Sequence, residues 1–176
     1  MHIAVLPLLL GKKVTLRPAR EGDDRLLLAV LGEESVRQWW GEPAALHDLR
    51  ADLSGQTEDA LLVIEVDGAV RGGIQYSEEN EPMYRSAGID IFLATIAQGR
   101  GLGREAVALL ARWLIADRGH HRLTIDPAAA NSRAIRCYAA VGFRRVGVLR
   151  QCERGLDGRW RDGLLMDLLA DELTAP

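Results

Sequence analysis

Residues 88–103, Gly-Ile-Asp-Ile-Phe-Leu-Ala-Thr-Ile-Ala-Gln-Gly-Arg-Gly-Leu-Gly, constrain the fold more than any other part of the chain. Residues 88–94 read as a strand whose apolar run carries a single carboxylate, Asp90. The strand leads into Gln98-Gly99-Arg100-Gly101-Leu102-Gly103. A helix over residues 102–116 follows, with Ala106, Leu109, Leu110, Trp113 and Leu114 at helical spacing and Gly119 as its stop. Strand, glycine turn and helix together bring backbone N–H groups and the positive end of a helix to one point, which suits phosphate. One glycine supplies the positive φ of a turn; three at alternate positions also let a ligand approach the backbone closely. The Lys-Ser/Thr of a P-loop is absent, and Gly-x-Gly-x-Gly after hairpins is not a dinucleotide fingerprint. A plain turn with spare glycines and a pyrophosphate site are the two readings left open.

The flanking chain supplies the sheet. Residues 14–18 alternate apolar and polar and form a first strand closed by Pro18. Asp23 or Asp24 caps a helix carrying Leu26, Leu27, Val30 and Leu31. Gly32 weakens that helix without having to end it, so helix is expected through Trp39-Trp40 to a stop at Gly41. Residues 43–53 form a second helix, with Ala45, Leu46, Leu49 and Leu53 on one side. Residues 61–66 and 70–76 are strands joined at Asp67-Gly68, a hairpin turn of positive φ, and the polar stretch 77–85 is a loop. Residues 122–126 are a strand. Asn131 then caps a helix that Gly142 ends. Residues 146–152 and 160–169 form a last hairpin through Asp157-Gly158. The expected order is β-α-α-β-β-β-α-β-α-β-β, an α/β chain whose hairpins and βα units share one mixed sheet, in a single domain over residues 1–176.

Composition narrows the function classes. With 48% hydrophobic and 27% charged residues the chain is ordinary globular material. The apolar opening Met1 to Leu10, broken by Pro7, lacks the basic start and cleavage site of a signal peptide and reads as an edge segment or extra strand. No run approaches the roughly 20 apolar residues of a spanning helix, so no membrane role is expected and the cytoplasm is the expected location. Cys137 and Cys152 have no metal or disulfide spacing, and His47, His120 and His121 form no ligand pattern, so no metal is expected. Charge divides along the chain. Residues 58–97 hold eight acids and two arginines, whereas residues 98–161 hold thirteen arginines and five acids. That division suits an anionic cofactor held against a cationic partner. A net charge of -3 and 5% aromatic residues argue against nucleic acid.

A second motif runs from Asn131 to Phe143, Asn-Ser-Arg-Ala-Ile-Arg-Cys-Tyr-Ala-Ala-Val-Gly-Phe. Tyr138 follows Asn131 by two helical turns, so cap and phenol share a face. Gln-x-x-Gly-x-Gly opening a helix, followed after a strand by Asn-x-x-Ala-x-x-x-Tyr-x-x-x-Gly-Phe, resembles the coenzyme A core of the GNAT superfamily of N-acetyltransferases. The element order agrees with that superfamily along nearly the whole chain. Trp39-Trp40-Gly41, residues 88–94 with Asp90, Asp126-Pro127 and the run Arg133 to Tyr138 resemble its aminoglycoside 6′-N-acetyltransferases.

The resemblance implies acetyl-CoA as the donor, bound by Gln98, Gly99, Arg100, Gly101, Leu102, Gly103 and Arg104 at the pyrophosphate. Phe92, Leu93 and Ala94 would lie along the pantetheine arm, and Asn131, Arg136 and Tyr138 on the second motif. It implies Asp90 as the base for the incoming amine and Tyr138 as the proton donor to the departing thiolate. Trp39, Trp40, Glu78, Glu79, Tyr84, Asp90 and Asp126 are the expected contacts of a polycationic acceptor. The acceptor segment Glu78-Glu79-Asn80-Glu81-Pro82-Met83-Tyr84 departs from the tryptophans usual there, which bears on which drugs are accepted. A protein N-terminus of the ribosomal-protein type or a small amine is the alternative acceptor, and a non-catalytic acyl-CoA-binding module is the alternative from another class. The protein is expected as a monomer or homodimer. Cys137, in a helix interior without an activating partner, is not expected to carry an acyl group.

Overall fold

The structure, a computed structural model, describes residues 6–42, 46–54, 57 and 59–173. Among the described residues eight strands form one sheet in the order β1-β2-β3-β4-β5-β6-β8-β7. Its first half is antiparallel: β1 (Leu9–Leu10), β2 (Thr15–Arg17), β3 (Asp59–Val66), β4 (Ala69–Glu79) and β5 (Ser86–Leu93) pair in succession. β6 (Arg122–Ile125) then lies parallel to β5, and the hairpin of β7 (Arg144–Arg154) and β8 (Trp160–Leu169) completes the sheet.

Helices cover both faces. α4 (Leu102–Ala116) and α5 (Ser132–Ala139) cover one, where Ala106, Leu110 and Leu114 meet Ile74, Ile89, Leu123 and Met166 in the larger core. α1 (Asp23–Leu31), α2 (Glu34–Trp40) and α3 (Leu46–Leu53) cover the other, where Leu27, Val36 and Leu49 meet Leu61, Val63 and Phe92. Each fully buried Leu adds about 2 kcal/mol of transfer free energy, so the two cores set the relative position of strands and helices.

Three departures from the sequence reading have physical causes. Gly32 does end α1: the chain turns at Gly32, and Glu33 re-enters in extended conformation to start α2. Neither Asp23 nor Asp24 caps α1; the N-cap is Gly22, at φ 89°, and makes no side-chain cap bond. Asp23 is instead buried against Arg17 at 2.6 Å and accepts from the Arg20 N–H. The polar stretch after Tyr76 continues β4 through Glu79, because Ser77, Glu78 and Glu79 pair with Gly88, Ala87 and Ser86. The apolar opening, expected as an edge segment or extra strand, does supply one: the short edge strand β1, paired with β2. The start of the expected second helix, residues 43–45, lies outside the described residues, as do residues 1–5 of the apolar opening. Among the described residues no helix is long and apolar enough to cross a membrane, and no group of three His, Cys, Asp or Glu is placed to hold a metal.

Candidate active site

The site grows from a fork in the sheet. The parallel strands β5 and β6 pair only at Ala87 with Leu123 and Gly88 with Thr124. Beyond that base β5 carries on to Leu93 while β6 stops at Ile125, so one edge of residues 89–93 faces an open gap. Two carbonyls on this edge are held by side chains: Ile91 accepts from Trp40 Nε1 at 3.3 Å, and Leu93 from Gln98 Nε2 at 2.8 Å. Because backbone groups alternate between the two edges of a strand, the N–H groups of Ile91 and Leu93 face the gap as well. The expected trio is thereby sorted. Leu93 presents its backbone to the gap, whereas Phe92 turns its backbone to β4 and contributes its ring, edge-on to Trp40 with centroids 4.9 Å apart. The Ala94 N–H is taken by the Arg71 carbonyl at 2.7 Å, so Ala94 offers no donor.

At the end of β5 a short 3-10 turn, Thr95–Ala97, leads into the glycine turn. Gly99 and Gly101 have φ of 73° and 78°, and a Cβ on either would meet nothing within 4 Å. These two glycines therefore serve the left-handed backbone and leave its outer side open. Gly103 differs: a Cβ there would stand 3.2 Å from Leu93 Cδ1, a tight contact that the leucine tip would have to yield to, so glycine eases the packing of α4 on β5. Gly101 caps α4 without any side-chain hydrogen bond. Of the flanking expected residues, Leu102 is buried core and can offer only its N–H, while Arg100 and Arg104 are exposed cations beside the turn.

A cavity of about 370 Å³ extends from this turn along β5, with α2 on one side (Ser35, Val36, Trp39, Trp40) and α5 on the other (Asn131, Arg133, Ala134, Arg136, Cys137, Tyr138). Gln98 ties its walls together. Its Oε1 accepts from Arg133 Nη2 at 2.5 Å, and its Nε2 donates to Ser35 Oγ at 3.2 Å as well as to Leu93. The amide is thus occupied in joining α2, β5 and α5. Arg133 and Ser35 enter the site by this network and were missed by sequence reasoning, although Arg133 lay inside the quoted motif. The side chain of Asn131 is likewise committed, accepting from the Ala134 N–H at 3.1 Å as the cap of α5.

The cavity suits coenzyme A. It has open glycine backbone and an uncapped helix start for pyrophosphate, exposed arginines beside them, and an apolar slot along a strand edge with gap-facing N–H groups for an amide-bearing arm. Tyr138 lines its inner part, 8% exposed, and burial foremost, with Cys137, Asp90 and Asp126 adding, raises its phenol pKa. The phenol is therefore held protonated. Burial also raises the Cys137 thiol, against the opposing pull of Arg104, so this cysteine is not poised as a nucleophile.

The α1–α3 face of the sheet holds the carboxylates. Asp90 pairs with Gln75 across β4, and the Gln75 amide donates to Asp90 Oδ2 at 3.4 Å. Solvent reaches the Asp90 carboxylate, yet protein crowds it on its other sides. That burial pushes its pKa up to about 6, with repulsion from Asp126 adding and the Gln75 bond opposing. Asp126, just past the end of β6, is raised too, mainly by burial. Two further acids belong here: Asp59, facing the same side of β3, adds to the Asp90 shift, and Glu153 on β7 is raised by burial and by Asp126 against the pull of Arg161.

Glu78 does not join them. It lies three residues from Gln75, on the opposite face of β4, with its carboxylate 2.9 Å from Arg118 and 2.6 Å from His120. It is part of a buried ion pair in the α4 layer and is corrected out of the acceptor set. Glu79 is on the Asp90 face, but it pairs with Ser86, four residues or about 13 Å down β5 from Asp90, and its Oε1 accepts from the Glu81 N–H. Tyr84, 74% exposed in the β4–β5 turn, lies farther out still. Both sit at the rim rather than at the fork. Trp39 and Trp40, half-buried, both line the cavity.

Comparison with known proteins gives the family. Residues 13–144 match the family described as acetyltransferase (GNAT) domain. The aminoglycoside N(6′)-acetyltransferase type 1 of Klebsiella pneumoniae is 33% identical over 156 residues, covering 77% of this chain and 76% of that protein. The spermidine N(1)-acetyltransferase of Vibrio cholerae is 24% identical over 166 residues, covering 91% of this chain and 95% of that protein. Among solved structures, AAC(6′)-Ib in complex with paromomycin and acetyl-CoA superposes with a TM-score of 0.74 at 28% identity, covering 94% of this chain and 99% of that one.

Proposed function

The chain belongs to the GNAT acetyltransferase family and is an acetyl-CoA-dependent N-acetyltransferase; from that premise we propose that its acceptor is the 6′-amine of an aminoglycoside. The observation that carries the reading is the pairing of two surfaces at one fork. The cavity for the donor lies along the β5 edge, and Asp90, Asp126 and Glu153 stand on the adjoining sheet face, where a polycation is attracted. The relative at 33% identity supports an aminoglycoside.

The amine nitrogen attacks the thioester carbonyl within a ternary complex, forming the amide and releasing the coenzyme A thiol. Asp90, with a pKa of about 6, is ionised at neutral pH and takes the ammonium proton directly or through water. The Leu93 N–H faces the gap as a donor to the carbonyl oxygen. Tyr138, kept protonated by burial, supplies the proton to the sulfur.

A polyamine is the second reading. It is favoured by the spermidine acetyltransferase relative, whose similarity spans 91% of this chain, and by the same acidic face. Thiol release with tobramycin, kanamycin, spermidine and a peptide with a free N-terminus separates the readings. We expect tobramycin to exceed spermidine at least tenfold in kcat/KM, with NMR placing the new acetyl group on the 6′-nitrogen; spermidine or the peptide as best acceptor would overturn the aminoglycoside assignment.

A further inference from the structure

Arg161 makes a contact that the donor cavity and the Asp90 cluster do not require. It sits on β8, and its Nη1 donates to the Gln38 carbonyl on α2 at 3.2 Å, across 123 residues of sequence. In the sheet, β8 lies on the far side of β6 from β5, while α2 packs on β5 through Trp40 and Phe92. A bond from β8 to α2 must therefore pass in front of β6 and the fork where the two parallel strands part.

The contact is built for a guanidinium. Gly155 in the β7–β8 connection has no positive φ, so backbone conformation does not require glycine there. A Cβ at Gly155 would lie 2.3 Å from Arg161 Nε and 2.5 Å from its Cζ, so the missing side chain makes room for the planar group. Asp157 holds another edge of it, 3.4 Å from Nη2. Directly opposite Arg161 in the ladder is Glu153, whose charge also couples to Asp126.

We propose that Arg161 is a strap across the acceptor side of the fork and determines which amines fit. It fixes the β7–β8 hairpin, which carries Glu153, to the end of α2, which carries Trp39 and Trp40. The acceptor then enters through an opening bounded by these two elements, and their spacing selects for its breadth. Arg161 is a positioning residue, acting through Gln38 and the hairpin. The inference rests on the acetyltransferase reading and not on which amine is preferred.

The test compares the wild type with Arg161→Ala, which removes the strap, and Gly155→Ala, which displaces the guanidinium while keeping it. The readout is the ratio of kcat/KM between a broad amine, tobramycin, and a slender one, spermidine. At unchanged melting temperature and with the KM for acetyl-CoA within twofold, both variants are expected to change that ratio at least fivefold, with Arg161→Lys closer to wild type than Arg161→Ala. A ratio within twofold of wild type in both variants would overturn the strap. Wild type inactive toward every amine tested would defeat the acceptor assignment instead. Amide exchange over residues 34–41 of the free protein then decides for the strap: faster exchange in both variants supports it, and equal exchange rejects it.

Discussion

At the scale of single residues, the environment that suits Asp90 to its proposed role as base also costs stability. Its folded pKa of about 6 stands above the ordinary 3.8 of an aspartate, so between these values the folded protein holds the proton more tightly than the unfolded chain. Stability from this group is full below pH ~4 and is lost as pH rises through about 6. Asp90→Asn is therefore expected to raise the melting temperature at pH 8 and to leave it nearly unchanged at pH 4, as scanning calorimetry would show. The gain is roughly 1 kcal/mol, well short of the full shift, because solvent reaches the carboxylate. Glu78 has the opposite character. Glu78→Gln removes the charge paired with half-buried Arg118 and buried His120 and should cost about 2 kcal/mol in a urea melt, while the KM for the acceptor stays within twofold. Asp90 was legible in the sequence because a lone charge in an apolar strand must be explained. Glu78 was not, since its face depends on β4 continuing to Glu79, and a polar stretch hides that continuation.

At the scale of elements, the two motifs work because their starts are built differently. α5 begins with a side-chain cap from Asn131, and Asn131→Ala should cost about 1 kcal/mol of stability, with a smaller effect on acetyl-CoA affinity measured by calorimetry. α4 begins at Gly101 with no such cap. Gly101→Ala forces a Cβ into left-handed backbone, worth about 1 kcal/mol, and should weaken acetyl-CoA at least tenfold by disturbing the N–H groups of the turn; unchanged affinity would argue that the turn is merely structural. The helices and strands were readable because apolar periodicity and the glycines at 41, 119 and 142 punctuate them. The end of α1 at Gly32 was not, because a single glycine is compatible with a continuing helix and only the packing of α2 on β5 decides. Ser35, Arg133 and Glu153 were missed for a related reason: each joins the site through a partner on another element, and spacing along one element carries no trace of that.

At the scale of the whole molecule, the sheet places the donor cavity and the Asp90 cluster on two sides of one fork, and the charge division of the chain maps onto them only in part. Of the other middle-segment acids Asp59 joins Asp90, Asp126 and Glu153 come from the arginine-rich half, and Arg104, Arg133 and Arg136 line the donor cavity. Loss of the carboxylate on β5 should therefore disable transfer without touching donor binding. The most direct measurement is the pH profile of kcat/KM for tobramycin in wild type and Asp90→Asn, with acetyl-CoA affinity measured in parallel. Wild-type activity should rise through a break near pH 6, as the base ionises. Asp90→Asn should lose at least ~100-fold and the break with it, at an acetyl-CoA Kd within twofold of wild type. An Asp90→Asn enzyme within threefold of wild type, retaining the same break, would contradict the assignment of this fork as the place where the amine gives up its proton.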